Sequence, residues 1–298
     1  MAVNERREMD RIIRLSDKSG HIRAFSASTT ELVERARQIH GTSPVVTAAL
    51  GRMLTANAMM GITLKGINET ISLQVRGDGP MESAVTVSDC FGNVRGYVGN
   101  ARVDIPLKYA GKLDVGGAVG KGHLTVVKDM KMKEPYVGRV ELQTGEIAED
   151  IAYYYAVSEQ IPTVVALGVL VDVDCTVKAA GGYIIQLMPD ATEEEITQIE
   201  ENLKNVKPVS TMIAEGLSPE QLIESVLKNF ELTENTEVTP EYKCNCSRER
   251  IERVLISVGR EELSRIIEED GETELGCYFC GAKYKFSGDE LREILSRV

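Results

Sequence analysis

Six cysteines occur in the 298-residue chain, and four of them fall near its C-terminal end in two short-spaced pairs, Cys244-x-Cys246 and Cys277-x-x-Cys280. Two such pairs separated by a long loop are the ordinary way for a chain to bring four soft ligands to one tetrahedral zinc ion. Thiolate sulfurs are also the side-chain atoms that oxidise reversibly to disulfides. The pattern therefore reads as a single four-thiolate Zn2+ site, with Cys244, Cys246, Cys277 and Cys280 as ligands, that can also be oxidised. Histidine does not compete for the role, because His21, His40 and His123 all lie more than a hundred residues upstream. Cys90 and Cys175 stand alone in apolar, strand-like segments and read as small buried hydrophobes.

A site of this kind needs a scaffold, and composition bounds it. The chain is long enough for two domains and a sizeable core, and at 43% hydrophobic it is ordinary for a globular protein. Aromatic residues make up 5%, with no Trp, which argues against a base-stacking platform. The stretch Met1 to Arg11 is charged and lacks the apolar run of a secretory signal, and no later run approaches 18 uninterrupted apolar residues. A cytoplasmic protein with no membrane contact is expected. In that reducing compartment clustered cysteines are metal ligands or redox sensors rather than permanent disulfides.

Charge divides the chain. Residues 1–189 hold 21 acidic and 21 basic side chains, whereas residues 190–298 hold 25 acidic and 13 basic, so the net charge of −12 belongs to the C-terminal third. An acidic segment around the cysteines is repelled by phosphate backbones, which counts against a nucleic-acid-binding zinc knuckle.

The pattern along the chain is α+β. Strands are expected at Arg11 to Leu15 and His21 to Ser28, then a helix from Glu31 to Ile39 capped by the preceding Ser/Thr run. A second helix is expected from Pro44 to Met60, with Pro44 at its first position and an apolar stripe at helical spacing. Short strands follow at Ile71 to Val75, Ala84 to Ser88, Val94 to Val98, Leu124 to Val127, Gly138 to Leu142 and Val164 to Val173, with a helix near Ile147 to Tyr155. This is a mixed sheet-and-helix core over residues 1–189. From 190 to 240 the chain reads as an amphipathic helical linker. Thr192-x-x-Glu195 forms a capping box, and Ser218-Pro219-x-Gln221 combines a cap, a first-position Pro and a reciprocal Gln. Ile196, Ile199 and Leu203 line one helix face, and Leu222, Ile223, Val226, Leu227 and Phe230 another, so both helices need a partner surface. Residues 241–298 read as a small module around the metal: a helix from Ser247 to Val258, another from Glu261 to Glu269, a knuckle hairpin over Leu275 to Phe286, and a final helix capped by Ser287-x-x-Glu290. A unit of this size is near the limit for folding on its core alone, whereas structural zinc supplies roughly 10 to 16 kcal/mol.

Other signals carry less. Gly116 to Gly122 resembles a phosphate loop, but it lacks Ser or Thr after Lys121, is one residue short, and leads into a strand where that motif needs a helix, so no nucleotide is expected. His123 has no nucleophile around it, and no catalytic residue is expected.

Tyr242-Lys-Cys244-Asn-Cys246-Ser-Arg-Glu-Arg250, followed after the long gap by Cys277-Tyr-Phe-Cys280-Gly, resembles the redox-switch domain of the bacterial redox-regulated holdase chaperones, the heat shock protein 33 family. His40-Gly-Thr-Ser-Pro44, Leu73-Gln-Val-Arg-Gly-Asp-Gly-Pro80, Lys133-Glu-Pro-Tyr136, Gly145-Glu-Ile-Ala-Glu-Asp150 and Ala179-Ala-Gly-Gly182 resemble that family's core domain. The resemblance implies a non-enzymatic, ATP-independent chaperone for unfolding proteins, inactive while reduced and zinc-bound, and active as a homodimer once oxidation ejects the metal. It also implies local disulfides, Cys244 with Cys246 and Cys277 with Cys280. Such pairing would release the loop from Cys246 to Cys277, a constraint on the order of 3 kcal/mol, because the new rings close almost nothing. Two other classes share the cysteines: a zinc-ribbon nucleic-acid-binding protein, which needs a basic face, and a disulfide oxidoreductase using Cys277-x-x-Cys280.

Overall fold

The computed structural model describes residues 9–297, so most of the charged N-terminal stretch, and Val298, lie outside the described residues. The chain divides into two compact units, Met1–Tyr242 and Lys243–Val298.

In chain order the first unit runs β1 (Arg11–Asp17), β2 (Ile22–Ser28), α1 (Thr30–His40), α2 (Pro44–Gly61), β3 (Thr70–Gly77), β4 (Ser83–Ser88), β5 (Val94–Val98), α3 (Val115–Val119), β6 (Gly122–Asp129), β7 (Tyr136–Glu141) and α4 (Ala148–Tyr154). A π-helical turn at Tyr155–Glu159 extends α4 and is followed by β8 (Thr163–Val171), β9 (Val177–Leu187), α5 (Glu193–Leu203), α6 (Val209–Ala214), α7 (Pro219–Val226) and β10 (Leu232–Val238). The strands form two five-stranded antiparallel sheets, ordered β10-β1-β2-β9-β8 and β5-β4-β3-β6-β7.

Helix α2 packs against both sheets, and 16 of its 18 residues are buried. The single apolar stripe expected for it is therefore replaced by burial all round, as for any helix with protein on every side. A Cβ at Gly51 would sit 2.6 Å from Val33 Cγ1 and 2.9 Å from Val169 Cγ2, so the glycine sets how closely α1 and β8 approach it. Helix α1 differs from expectation at its start. The Thr29 hydroxyl bonds Thr55, and the orphan amides of Glu31 and Leu32 are taken by the Asp10 carboxylate at 3.2 and 2.7 Å. Burial pushes that carboxyl up to about 6 in spite of the two amide donors.

The first sheet is covered on both faces, and the two-residue period of its strands sorts the side chains. Ile12, Phe25 and Ile184 join the core around α1 and α2, while Ile13, Ile22, Ala24 and Ile185 join a second core closed by Ile199, Met212, Leu222, Ile223 and Val226 of α5 to α7. Coverage on both faces explains why β9 was not anticipated: it is buried almost throughout, so it shows no alternation, and Ala179-Ala-Gly-Gly182 has low strand preference. The glycines are needed where α6 lies on the sheet. A Cβ at Gly181 would meet Ile213 Cδ1 at 2.4 Å, and one at Gly168 would meet Ser210 N at 2.5 Å.

Residues 190–240, read as helical throughout, hold a third helix, α6, and a strand. The capping boxes at Thr192 and Ser218 form as expected. Beyond them, the acidic segment Leu232–Val238 pairs antiparallel with β1, from Ile12 opposite Val238 to Asp17 opposite Leu232. Its side chains are mostly exposed, and it is held by backbone pairing, which satisfies the outer amides and carbonyls of β1. Arg11 adds ion pairs to Glu237 of β10 at 3.2 Å and to Glu220 of α7 at 3.1 Å. The unit ends at Tyr242, whose hydroxyl donates to Gly96 O at 2.7 Å and lies 2.9 Å from His40 Nε2.

The second unit contains α8 (Arg248–Val258), α9 (Arg260–Glu269), the hairpin β11 (Glu272–Gly276) and β12 (Lys283–Ser287), and α10 (Gly288–Leu295). Ser247 caps α8, Ser287 and Glu290 form the capping box of α10, and Gly259, at φ 94°, separates the first two helices. The core is small: Leu255, Leu263, Phe286, Leu291 and Ile294 are its buried residues.

One loop of the first unit stores strain that a single carboxylate restrains. Ile147, β-branched, sits at φ 75°. The buried Asp150 carboxylate accepts the amides of Gln143, Thr144 and Gly145 on Oδ1 and that of Ile147 on Oδ2 at 2.9 Å. Asp150→Ala strands these donors and is expected to cost about 3 kcal/mol or more in urea unfolding. Asp150→Asn, which keeps one acceptor oxygen, should cost less, and equal losses would show that the loop does not depend on those bonds.

Candidate metal centre

Two short backbone devices carry the cysteines. Cys246 immediately precedes Ser247, whose hydroxyl accepts the Arg250 amide, so the Cys-x-Cys pair lies in the extended lead-in to α8. Cys277 and Cys280 sit in the turn between β11 and β12. There Gly281 N donates to Cys277 O and Cys277 N to Ala282 O, both at 2.8 Å, and Gly281 takes the left-handed φ of 71° that lets the chain turn under the sulfurs.

All four sulfurs lie within 4.8 Å of one another. The short contacts run between the motifs, with Cys244 Sγ 3.7 Å from Cys277 Sγ and Cys246 Sγ 3.4 Å from Cys280 Sγ. Sulfurs at a Zn–S distance of about 2.3 Å in a tetrahedron stand about 3.8 Å apart, so the cluster has the size that zinc requires. The donor set has the chemistry as well: four half-buried sulfurs, with no imidazole or carboxylate among them.

Electrostatics point the same way. Burial pushes the Cys244 thiol up, and the neighbouring sulfurs add to this; burial likewise raises Cys280. Cys246 is the exception. Burial acts to raise it, but hydrogen bonds from the Tyr284 hydroxyl and the adjoining cysteines prevail and bring it down to about 7. The Tyr284 hydroxyl, 3.2 Å from that sulfur, is itself pushed up to about 12 because its proton is held on sulfur. Four sulfurs this close cannot all carry charge without a cation between them, and the raised Cys244 and Cys280 thiols express that repulsion together with burial. A soft cation relieves that crowding.

The structure brings together the four cysteines singled out by their spacing and leaves Cys90 and Cys175 outside the cluster. Those two do not sit buried in strands as expected. Cys90 is half-buried in the turn after β4, where burial raises its thiol, and Cys175 is exposed in the turn after β8 at φ 68°. In both cases the apolar neighbours belong to the flanking strands. Tyr284 was missed altogether. The alternation of Tyr284 with Phe286 along β12 was a usable signal, since the hairpin register places Tyr284 opposite Leu275, two residues from Cys277. The glycine run at 116–122 is a short helix leading into β6, and its amides are engaged: Gly117 N by Asp114 at 3.0 Å and Lys121 N by Asp78 at 2.7 Å.

Comparison with known proteins agrees with this architecture. The family model described as Hsp33 protein matches residues 10–287. The 33 kDa chaperonin of Acetivibrio thermocellus is 48% identical over 289 residues, 97% of this chain and 98% of that protein. That of Lachnoclostridium phytofermentans is 46% identical over 288 residues, 97% of this chain and 99% of that protein. The crystal structure of the 33 kDa chaperonin (heat shock protein 33 homolog) from Thermotoga maritima superposes with a TM-score of 0.90 at 37% identity, covering 97% of this chain and 99% of that one. With the family model spanning most of the chain, and with relatives alike over nearly their whole length, this chain belongs to the Hsp33 family of chaperones.

Proposed function

We propose that the chain is a redox-regulated, ATP-independent holdase that binds unfolding proteins under oxidative stress. Residues 1–189 act as the chaperone core, 190–240 as the regulatory linker and 241–298 as the redox switch. The observation that carries this reading is the convergence of four sulfurs in a unit whose apolar core is too small to hold it ordered without a cross-link. Zinc held by Cys244, Cys246, Cys277 and Cys280 would neutralise the thiolates and close the loop between the two motifs. When oxidation joins Cys244 to Cys246 and Cys277 to Cys280, that closure is lost and the second unit unfolds. The linker follows, and the apolar surface it covers becomes available to clients: Ile13, Ile22 and Ile185 on the sheet, Leu222, Ile223 and Val226 on the helices. The active form is a homodimer. The protein works in the cytoplasm, without nucleotide, nucleic acid or membrane, and without turnover of a substrate. No described helix is long and apolar enough to cross a membrane.

The central experiment measures zinc content and suppression of aggregation of a denatured client, side by side, on reduced and oxidised protein. Reduced protein is expected to retain one zinc per chain and suppress little, and oxidised protein the reverse; equal suppression by both forms would refute redox control. Replacing any one of Cys244, Cys246, Cys277 or Cys280 with Ser should weaken zinc retention by an order of magnitude or more, and full retention in all four variants would refute the ligand set.

Peptide mapping of the oxidised form should find the two local disulfides, with Cys90 and Cys175 still free. Amide exchange should accelerate across residues 243–297 and the linker while β2 and α2 stay protected. Active protein with mainly cross-motif bridges would refute the unclipping.

The cover over the sheet can be tested without oxidation. Leu222 is fully buried beneath α7, so Leu222→Asp places a charge against the sheet and should detach the helix. Reduced, zinc-loaded Leu222→Asp protein is expected to suppress client aggregation several-fold better than wild type. A folded, zinc-loaded variant with no gain would show that the helices mask nothing.

A further inference from the structure

The Cys246 sulfur takes a hydrogen bond from a side-chain hydroxyl. Cys244 and Cys280 are approached by the backbone amides of Cys246 and Ala282, whereas Cys246 meets Tyr284 Oη at 3.2 Å. The donor is fixed from two directions. Its strand is paired residue by residue with β11, placing Tyr284 opposite Leu275, and its ring packs on the small core formed by Leu255, Leu263, Phe286, Leu291 and Ile294. The next core residue on the strand, Phe286, lies under the Arg248 guanidinium at 4.3 Å, and Arg248 pairs with Glu290 at 2.6 Å. The hydroxyl is thus held where the hairpin, the core and the Cys-x-Cys segment meet.

A hydrogen bond donated to a thiolate draws charge from the sulfur and lowers its nucleophilicity, and outer partners of this kind govern how firmly a thiolate stays with its metal. We infer that Tyr284 is a positioning residue that shields the Cys246 sulfur, so that peroxide reacts first at the other cysteines and Cys246 enters only as the resolving thiolate. This rests on the reading of the cluster as a zinc-binding redox switch. In the Cys-x-Cys half the chemistry is explicit. With its proton displaced by the metal, the Cys244 sulfur would attack one peroxide oxygen as a thiolate: the O–O bond breaks, hydroxide leaves, and the sulfur is oxidised to a sulfenic acid while the peroxide is reduced. The Cys246 thiolate then attacks the Cys244 sulfur, forming the disulfide and expelling a second hydroxide. Tyr284 thereby loses the charged acceptor that held its hydroxyl, so oxidation also frees the residue that ties the hairpin to the cysteines. The hydroxyl sets a threshold: it keeps the switch off at low peroxide without blocking the final bond.

The test compares zinc-loaded, full-length wild type with Tyr284→Phe, which keeps the ring in the core and removes only the hydroxyl, and with Leu275→Ala, which loosens the hairpin opposite it. Each is treated with limiting hydrogen peroxide. Zinc release is followed with a chromogenic chelator, and sulfenic acids are trapped with a dimedone probe and located by peptide mapping. In wild type Cys246 should carry the smallest share of trapped sulfenic acid. In Tyr284→Phe zinc release should accelerate about ten-fold, within the range expected for loss of an outer hydrogen bond, and the share at Cys246 should rise relative to the other three. Leu275→Ala should raise trapping at all four alike. Unchanged release and an unchanged Cys246 share in Tyr284→Phe, or a uniform rise like that of Leu275→Ala, would overturn the assignment, as would a Tyr284→Phe chain that cannot be loaded with zinc. Wild type that takes up no zinc would instead overturn the metal reading itself, and this inference with it.

Discussion

The meeting of Cys244 with Cys277 and of Cys246 with Cys280, 33 and 34 positions apart in sequence, is the contact around which the second unit is arranged. Five buried apolar side chains, with a rim of half-buried ones such as Ile251, Ile266 and Tyr284, serve a segment of more than fifty residues, and surface ion pairs such as Arg265 with Glu262 and Arg292 with Asp289 contribute little in water. The sulfurs add a second meeting point of residues far apart in sequence beside the small core, where Leu255 and Leu263 meet Leu291 and Ile294. On the reading proposed above, a unit built this way would report on the chemistry of its sulfurs.

The first unit has no such weak point. Its two sheets share α2, so the largest core runs continuously from Ile12 and Phe25 to Leu73, Val126 and Ile151. The second core, between the sheet and α5 to α7, is different in kind. It is closed by three short helices, each too short to be stable alone, whose order comes from the apolar face they cover. The buried Asn202 side chain, donating to Val226 O at 2.7 Å, ties α5 to the end of α7, so these helices hold one another as well as the sheet. The apolar cores thus shrink in steps along the chain, from the one around α2, to the one under α5 to α7, to the few buried side chains of the second unit.

Much of this was readable from residue order because it rests on local rules. The spacing of the four cysteines, Pro44 at the head of α2, the capping boxes at Thr192, Ser218 and Ser287, and the alternating strands of the second sheet all express short-range chemistry. What escaped depends on partners distant in sequence. Strand β9 is apolar on both faces only because α6 covers the side away from α2; β10 is a strand because β1 has an open edge; and α1 is capped by Asp10, 21 and 22 positions before the amides it binds. For Tyr284 the alternation with Phe286 along β12 points toward the cysteine turn, but which sulfur its hydroxyl reaches depends on the distant Cys246 segment.

The sheet also presents its own backbone at β10, the last strand on that side. An exposed strand edge is a template on which any extended chain can grow, and a protein whose family works among unfolded chains meets such segments constantly. Here the outermost strand is Leu-Thr-Glu-Asn-Thr-Glu-Val, with Glu234 and Glu237 exposed. Two copies brought together along this edge would set the Glu234 carboxylates near each other, a like-charge contact that disfavours pairing of the strand with its own copy.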